Sequence, residues 1–600
     1  MEKTLPGSDR LPGGQRCGVA HVLAFAGVLL LAGFLRFSRL TERELWIDES
    51  CSFYVAHHWA DWPANGPEFR TEVAHLPYFA ALHAWTRWAG ENAWGLRSFS
   101  AFAGILAVAA VSIVAWRLDG RRAGLCAGLL AAVHPLHVHY SQEARAYALW
   151  TVLVALTWGA LYRAARTNRA GHWFGYGAAM SVAMLVHYHT LFLLPAGVAG
   201  VFVARDRQAF WKAFLATHLL LLVALLPVVL FLIAPFSSGG PRPWLERTWA
   251  SYPPATAILR SLWCLLPSGE YPSYLGRLPG AAQIAGEELG AWAAALCRWG
   301  PATAVVMLIA AMPWHPRPAE DGRIGEDCSA TSAEPGELRV LLYCAATIAL
   351  NLAALWTYSV LVRPAYIVGR YDLACFAPLT VGLGILSAHA RQAAVASRGR
   401  LPFTSRGDVK GQSARTKVRG SVRATAFFVL LASAGITLWG GWSRPPVNDL
   451  TQRAQRVATN LGQEDLLVCL GMYRWFLTYE WHRLDFSVET LSFPSNHDRQ
   501  LCWSDARAET TDGVRLGADA REVVSGIQGA LRAGRRVWLL AQGGEDADRL
   551  AVDRAFFKAL MRANVRVEVR DDWLGLAELT AAPAGSSHAP SRADEDSPPP

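Results

Sequence analysis

Two adjacent carboxylates, Asp48 and Glu49, follow the first long apolar run of the chain. Carboxylates beside apolar surroundings are costly unless the protein uses them. A carboxylate held at a membrane surface can accept a proton from a hydroxyl or an amine that attacks an electrophilic carbon. The same pair also suits the first turn of a helix, where acidic side chains stabilise the backbone N–H groups. Spacing alone leaves both interpretations open.

Two pairs of arginine and tyrosine also stand at the edges of apolar runs. Arg145 and Tyr147 lie where one run begins, and Arg370 and Tyr371 precede another. An arginine at headgroup depth can bind a phosphate through two parallel hydrogen bonds, and tyrosine hydroxyls can donate to the same oxygens. The alternative for Arg145 is an interfacial side chain that pairs with Glu143.

No histidine or cysteine pattern has the spacing of a metal site. We interpret most of the histidines near the ends of apolar runs as hydrogen-bonded interface residues; they are His75, His83, His134, His137, His139, His187 and His189. The ten cysteines contain no CxxC pair, and Cys469 and Cys502 are candidates for a disulfide.

The elements that must position these residues are predicted to be membrane helices. The 600 residues are 52% hydrophobic and 18% charged, with a mean hydropathy of +0.19, whereas a soluble chain has about a quarter of its residues charged. A membrane span needs about 20 mostly apolar residues. We therefore predict about eleven spans, at 19–38, 98–117, 122–139, 145–164, 173–187, 188–204, 213–235, 290–313, 339–360, 372–388 and 424–441.

Arginine-rich connectors set the predicted orientation. When the spans are counted in order, these connectors all fall on one side, which is the cytoplasmic side by the positive-inside rule. The remaining connectors and the tail after residue 442 then lie outside; these connectors are 39–97, 140–144, 236–289 and 361–371. Because the net charge of +9 is concentrated in the inner connectors, it does not indicate nucleic acid as a partner.

The tail is predicted to form a small α/β domain. Residues 466–470, 537–541 and 565–569 have strand patterns, and residues 520–534 and 549–563 have helical periodicity. The predicted organisation is a cytoplasmic N-terminus at 1–18, a transmembrane domain at 19–441 with the outer loop 39–97, an extracytoplasmic α/β domain at 442–581, and a disordered tail at 582–600. The inner loops 314–338 and 389–423 are also expected to be disordered.

Taken in chain order, the motifs resemble those of a known superfamily. They are Trp46-Ile47-Asp48-Glu49, His75-Leu76-Pro77-Tyr78, Leu96-Arg97, Tyr140-Ser141-Gln142-Glu143-Ala144-Arg145-Ala146-Tyr147 and Arg370-Tyr371. This order is similar to that of GT-C glycosyltransferases of the dolichyl-phosphate-mannose protein mannosyltransferase and aminoarabinose transferase type, most strongly over about residues 20–200. The resemblance implies a polytopic α-helical membrane protein of the GT-C type with a C-terminal extracytoplasmic α/β domain.

The resemblance also implies an inverting transfer of a sugar from an isoprenoid phosphate. Asp48 matches the acidic residue proposed as general base, and Glu49 its neighbour that shapes the site. Arg145, Tyr147, Arg370 and Tyr371 would hold the donor phosphate and favour its departure. His75 falls where relatives carry a basic residue before two prolines, although Leu76-Pro77 replaces that pair here. With a lipid phosphate as leaving group we expect no metal and no other cofactor.

The predicted partners are a polyprenyl-phosphate sugar, an extracytoplasmic acceptor and the lipid bilayer of a bacterial inner, or plasma, membrane. The acceptor is a glycolipid, a polysaccharide or a protein. The alternative function is a transporter or flippase of a lipid-linked glycan. Transporters place charged residues at mid-bilayer and use broken or repeated helices, whereas the charges here gather at the predicted outer rim, which favours the enzyme.

Overall fold

The fold was analysed in a computed structural model. It describes residues 14–61, 75–237, 249–251, 254–267, 270–272, 275, 278–312, 336–362, 364–388, 406–443, 449–471, 473–495, 513–541, 547–572 and 575–582. Most of the predicted cytoplasmic N-terminus, most of the loop 314–338 and nearly all of the predicted disordered tail lie outside the described residues.

Most of the described residues in the first three quarters of the chain are helical. The helices are α1 (Gly14–Phe37), α2 (Ile47–His57), α3 (Leu76–Ala89), α4 (Ala93–Val133), α5 (Pro135–Ser141), α6 (Tyr147–Thr167), α7 (Ala170–Val186), α8 (Leu193–Ala196), α9 (Arg207–Ser237), α10 (Pro254–Leu265), α11 (Ala281–Leu289), α12 (Ala291–Ala310), α13 (Glu337–Leu361), α14 (Phe376–Ala388) and α15 (Arg406–Trp442). Short 3₁₀ turns at Trp59–Asp61, Tyr188–Phe192, Gly197–Phe202 and Tyr371–Cys375 connect some of them.

Eight helical segments among the described residues are long and apolar enough to cross a membrane. They confirm a polytopic helical membrane protein, and every predicted span has a helical counterpart. The predicted spans 173–187 and 188–204 correspond to shorter apolar helices, Ala170–Val186 and Tyr188–Phe202. Two further predicted spans share one long helix, α4.

Helix α4 bends sharply in its middle. Its 41 residues would extend about 60 Å if straight, twice the thickness of the hydrocarbon core. Gly120 has φ 90° and ψ 175°, a conformation that favours glycine, and Asp119 beside it is also non-helical. The two halves on either side of Gly120 match the predicted spans 98–117 and 122–139.

Contacts divide the chain into two compact units. The first unit contains Met1–Ser38, Ser100–Val223 and Tyr252–Pro445, and the second contains Arg39–Phe99, Ala224–Ser251 and Pro446–Pro600. The domain boundaries given by the sequence remain a prediction. One loop assignment needs correction: residues 406–423, expected to be disordered, form the first turns of α15, because its helix extends well beyond the apolar stretch.

In the first unit, a buried arginine completes the end of α4. Arg36 is fully buried and donates to the carbonyl oxygens of Ala132 at 2.9 Å and Ala131 at 3.1 Å. Its Nη2 also lies 2.7 Å from Nδ1 of His137. The last carbonyls of a helix have no partner within the helix, so Arg36 supplies the donors that the end of α4 lacks.

The second unit contains a five-stranded sheet with the order β2-β1-β3-β5-β4. The strands are β1 (Leu466–Leu470), β2 (Glu489–Phe493), β3 (Val537–Leu540), β4 (Val565–Asp571) and β5 (Leu576–Ala581), and the helices α16 (Asp449–Asn460), α17 (Tyr473–Arg483), α18 (Gly513–Arg532) and α19 (Ala547–Arg562) accompany them. Strand β1 pairs in parallel with β2 and β3, while β5 is antiparallel to β3 and β4.

Both faces of this sheet are covered by apolar side chains. Val468 and Leu539 pack with Ile527 of α18 on one face, whereas Leu467 and Trp538 pack with Val457 of α16 on the other. This double burial explains why β1 and β3 are continuous apolar runs in the sequence. Cys469 on β1 is buried and takes part in no disulfide, so its proposed pairing with Cys502 was wrong. Among the cysteines that the structure describes, Cys51 is disulfide-bonded.

Candidate active site

Asp48 and Glu49 lie in the first turn of α2, within the second unit. Both side chains are buried, with 2% and 0% of their surface exposed. The backbone N–H of Trp46 points to Oε2 of Glu49 at 3.4 Å, which is the contact expected of an acidic residue at the third position of a helix. Glu49 therefore supports the helix start, while the chemical interpretation of Asp48 remains a prediction.

A bidentate ion pair with Arg97 fixes the side chain of Glu49. Arg97 Nε lies 2.7 Å from Oε1 and Arg97 Nη2 lies 2.7 Å from Oε2 of Glu49, and neither side chain is exposed. Arg97 also donates to the carbonyl oxygens of Leu40 at 2.6 Å, Arg43 at 2.8 Å and Glu44 at 2.8 Å. One guanidinium thus holds both the loop before α2 and the first turn that carries Asp48.

Glu44 connects the same loop to the C-terminal part of the second unit. Its Oε2 accepts the backbone N–H groups of Leu450 at 2.8 Å and Thr451 at 3.2 Å, in the first turn of α16. A carboxylate at a helix N-terminus is favoured by the unsatisfied N–H groups there. Burial raises the pKa of Glu44, and the two backbone hydrogen bonds oppose that rise.

We expect Arg97→Met to lower the free energy of unfolding by about 3–5 kcal/mol, because it leaves the buried Glu49 carboxylate without its guanidinium. Chemical denaturation of the purified full-length protein in detergent measures this. The control is Arg39→Met, which removes an arginine that pairs at the surface with Glu42 and should cost about 0–1 kcal/mol. Equal losses in the two variants would show that the buried pair does not anchor the loop.

His75 lies immediately before α3, which begins at Leu76 with proline at its second position. The imidazole is largely buried, and its ring centroid is 6.4 Å from that of Phe79, one turn into the helix. Proline is well tolerated in the first turn because no hydrogen-bonded N–H is lost there. Leu76-Pro77 therefore still starts a helix, although it departs from the two prolines of the family pattern.

The other candidate residues form a cluster in the first unit. Arg370 Nε donates to the hydroxyl of Tyr147 at 2.5 Å, and the guanidinium carbon lies 5.3 Å from the centroid of the Tyr147 ring. The same carbon lies 5.8 Å from the ring of Tyr371. Arg145 is in the buried turn just before Tyr147, and both arginines are only 8% exposed. We refer to Arg145, Tyr147, Arg370 and Tyr371 as the Arg–Tyr cluster.

Two histidines pack against the Arg–Tyr cluster. His189 stacks on Tyr371 with ring centroids 3.7 Å apart and planes 18° apart. His187 lies 5.5 Å from Tyr147 and 5.8 Å from Tyr371, and it stacks on Trp150 at 4.2 Å. These rings restrict the rotamers of both tyrosines, which keeps their hydroxyls in place.

A tight turn before Arg370 sets its direction. Gly369 has φ 76°, which favours glycine. Its carbonyl oxygen accepts from the Tyr140 hydroxyl at 2.7 Å, and its N–H donates to Asp372 at 2.9 Å. The turn that carries Arg145 is fixed as well, because Gln142 donates to the carbonyl of Ser38 at 2.8 Å. Hydrogen bonds therefore fix the backbone near both arginines.

The structure thus brings Tyr147, Arg370 and Tyr371 into contact, and Arg145 lies in the buried turn two residues before Tyr147. Asp48 and Glu49 share a helical turn in the second unit, which also contains His75. The roles given to all seven residues remain predictions.

Sequence reasoning did not find the contacts of several residues that build these sites. Arg97 was part of a motif but had no assigned partner, and the available signal was that a buried arginine at the start of a membrane helix requires an acid. His187 and His189 were interpreted only as interface histidines, and Tyr140 was expected to donate to phosphate oxygens, whereas its hydroxyl donates to the carbonyl of Gly369. The helical bundle brings these residues together from positions more than 180 residues apart in the sequence.

Comparison with known proteins identifies the fold. A family model described as dolichyl-phosphate-mannose-protein mannosyltransferase matches residues 76–233. The structure of ArnT from Cupriavidus metallidurans bound to undecaprenyl phosphate is similar with a TM-score of 0.50 and 15% sequence identity, over 94% of this chain and 98% of that one. The chain has the GT-C fold. This confirms the resemblance drawn from the motifs and the predicted fold class.

Other matches are weaker. The archaeal oligosaccharyltransferase AglB from Archaeoglobus fulgidus, in complex with an inhibitory peptide and a dolichol-phosphate, has a TM-score of 0.43 and 12% identity, over 92% of this chain and 73% of that one. No curated protein sequence matches the chain. The fold and the eight apolar helices among the described residues show a multi-pass membrane protein, and the family match does not favour the transporter alternative.

Proposed function

We propose that this GT-C protein transfers a sugar, with inversion, from a polyprenyl-phosphate donor to an acceptor on the extracytoplasmic side of the membrane. The observation that carries the proposal is the buried Arg–Tyr cluster, in which Arg370 is bound to Tyr147 and lies beside Tyr371. The similar ArnT structure holds undecaprenyl phosphate, which is a lipid monophosphate of the kind proposed here as the leaving group.

The chemistry of the Arg–Tyr cluster suits a phosphate. Two guanidinium groups with little exposed surface provide positive charge in surroundings that screen it weakly. Arg370 uses Nε for Tyr147, and its planar fork presents further N–H donors in the geometry that matches phosphate oxygens. As the bond from the sugar C1 to the phosphate oxygen breaks, negative charge grows on the phosphate. Donors already fixed at that place stabilise the transition state more than the ground state.

Asp48 is proposed as the general base. The acceptor O–H or N–H attacks C1 from the face opposite the phosphate, its proton passes to the Asp48 carboxylate, and the lipid monophosphate leaves with the electron pair of the C1–O bond. Glu49 is already engaged with Arg97, so its part is to position the turn rather than to accept the proton. His75 is proposed to assist donor binding.

The acceptor class follows from this step only in broad terms. Any glycolipid, polysaccharide or protein that presents a hydroxyl or an amine could accept the sugar. The α/β part of the second unit is proposed to recognise the acceptor, because the lipid donor is proposed to bind the membrane helices and the Arg–Tyr cluster.

The test is a transfer assay with purified full-length protein in liposomes, using radiolabelled sugars on three carriers: a polyprenyl monophosphate, a polyprenyl diphosphate and a nucleotide. We expect transfer from the monophosphate, with the anomeric configuration inverted and free polyprenyl monophosphate as the second product. Transfer from the nucleotide sugar alone would refute the proposed donor. Movement of intact donor across the bilayer without cleavage would support the transporter instead.

A further inference from the structure

Three side chains in the second unit converge in a way that the proposed function does not use. His57 is the last residue of α2, Glu91 lies in the loop between α3 and α4, and His482 is in the last turn of α17. One ligand atom from each residue lies within 4.8 Å of the others. His57 Nδ1 is 2.8 Å from Oε2 of Glu91, and His482 Nε2 is 3.6 Å from the same oxygen.

These distances are close to those of a tetrahedral zinc site. With metal–ligand bonds of about 2.0–2.2 Å, neighbouring ligand atoms in a tetrahedron are about 3.3–3.5 Å apart. The Glu91 oxygen would therefore shift by less than about 1 Å relative to each imidazole, and the two imidazole nitrogens, which lie within 4.8 Å of one another, would come closer to share an ion. Two histidines and one carboxylate are a common ligand set for zinc, and they leave a fourth position for water.

The surroundings orient both rings. Phe53, one turn before His57, stacks on His57 with centroids 5.5 Å apart and lies 4.9 Å from the ring of His482. Phe53 in turn packs edge-on against Tyr479 at 5.3 Å. Support of this kind behind the ligands restricts imidazole rotation, and it lowers the entropy lost when an ion binds. His57, Glu91 and His482 are also partly exposed, which gives an ion access from solution.

We propose that His57, Glu91 and His482 bind a divalent transition-metal ion of the zinc type. The ion joins three segments that are far apart in sequence: the end of α2, the loop before α4 and helix α17 beside the sheet. It lies nine residues along α2 from Asp48, about 13 Å at the helical rise, so its part is to hold the helix rather than to take part in sugar transfer. The proposal does not depend on the proposed function.

This site carries no sequence signature. His57 and Glu91 are 34 residues apart, and His482 follows nearly four hundred residues later, so none of the usual short ligand spacings occurs. The alternative is a surface group of ion pairs, in which Glu91 interacts with whichever imidazole is protonated. The two differ in one measurable property, which is a defined affinity for a transition-metal ion.

The experiment uses tag-free full-length protein in detergent, stripped with a chelator and then dialysed. Co²⁺ is titrated in while its visible absorption is followed, and Zn²⁺ is added to displace it. We expect one equivalent of Co²⁺ with the intense bands of tetrahedral coordination, displaced by one equivalent of Zn²⁺. Zn²⁺ should also raise the Tm of the wild type.

Variants decide whether these residues are the ligands. His482→Ala and Glu91→Gln should each weaken Co²⁺ binding by at least about 100-fold and remove the Zn²⁺-dependent rise in Tm. Glu91→Gln keeps the shape of the side chain, so it remains informative if His482→Ala folds poorly. The matched control is His172→Ala, in the first unit, which should bind Co²⁺ within about two-fold of the wild type. Equal affinity of the wild type and Glu91→Gln, or an equal loss in His172→Ala, would overturn the proposal.

Discussion

Asp48→Asn should reduce sugar transfer by about 10²–10⁴-fold while donor binding and stability stay near those of the wild type. The factor is the usual contribution of a positioned general base. Asparagine has almost the same shape as aspartate, so the first turn of α2 should survive the change. It cannot accept the acceptor proton, which then has to leave to water. The measurement is kcat and KM for transfer from the polyprenyl-phosphate sugar, with donor affinity determined separately.

The matched control for this variant is Glu42→Gln, which removes a carboxylate from the same loop. Glu42 is partly exposed and pairs with Arg39, so we expect transfer within about two-fold of the wild type. A selective loss in Asp48→Asn identifies the proton acceptor. If Asp48→Asn retained half of the wild-type kcat, Asp48 would not be the base, although the Arg–Tyr cluster would still be able to bind the donor.

Comparison of these two acidic residues shows what a sequence can reveal about this site. Asp48 and Glu49 are adjacent and chemically alike, and spacing could not divide the two interpretations between them. The structure adds that Glu49 is paired with Arg97, which reaches the first turn of α2 from the beginning of α4, 48 residues away, while the role of Asp48 stays a prediction. Side-chain contacts that depend on tertiary packing in this way cannot be predicted from a local sequence pattern.

The membrane helices could be predicted because their signal lies in the local sequence. Each span needs a run of apolar residues long enough to cross the hydrocarbon core, which is a local property. The break at Gly120 was visible, because Arg117, Arg121 and Arg122 interrupt the apolar composition there. The basic residues 406–423 were missed, because they continue a helix that hydropathy alone would have ended. In the sheet, β1 and β3 were found because they are buried on both faces, whereas the half-buried edge strand β2 and the mixed pattern of β5 gave no clear signal.

Arg370→Met should produce the largest loss on the donor side, about 10²–10³-fold in kcat, together with weaker binding of polyprenyl monophosphate. Methionine has a similar length and keeps the packing against Tyr147 and Tyr371, but it carries neither charge nor donors. The matched control is Arg298→Met, on α12 of the same unit, where the arginine pairs with Glu270 and is half exposed. We expect that variant to transfer sugar within about two-fold of the wild type.

A double-mutant cycle with Tyr147→Phe separates a phosphate site from a merely structural one. Removing the Tyr147 hydroxyl releases Arg370 Nε and should cost about 10-fold in kcat, since hydrogen bonds to charged groups contribute about 1.5–3 kcal/mol. If Tyr147 acts by holding the guanidinium, Arg370→Met with Tyr147→Phe should be no slower than Arg370→Met alone, because the two residues act as a unit. Losses that multiply would mean that each residue contacts the donor independently, and losses in thermal stability without any change in donor affinity would remove the Arg–Tyr cluster from the donor site.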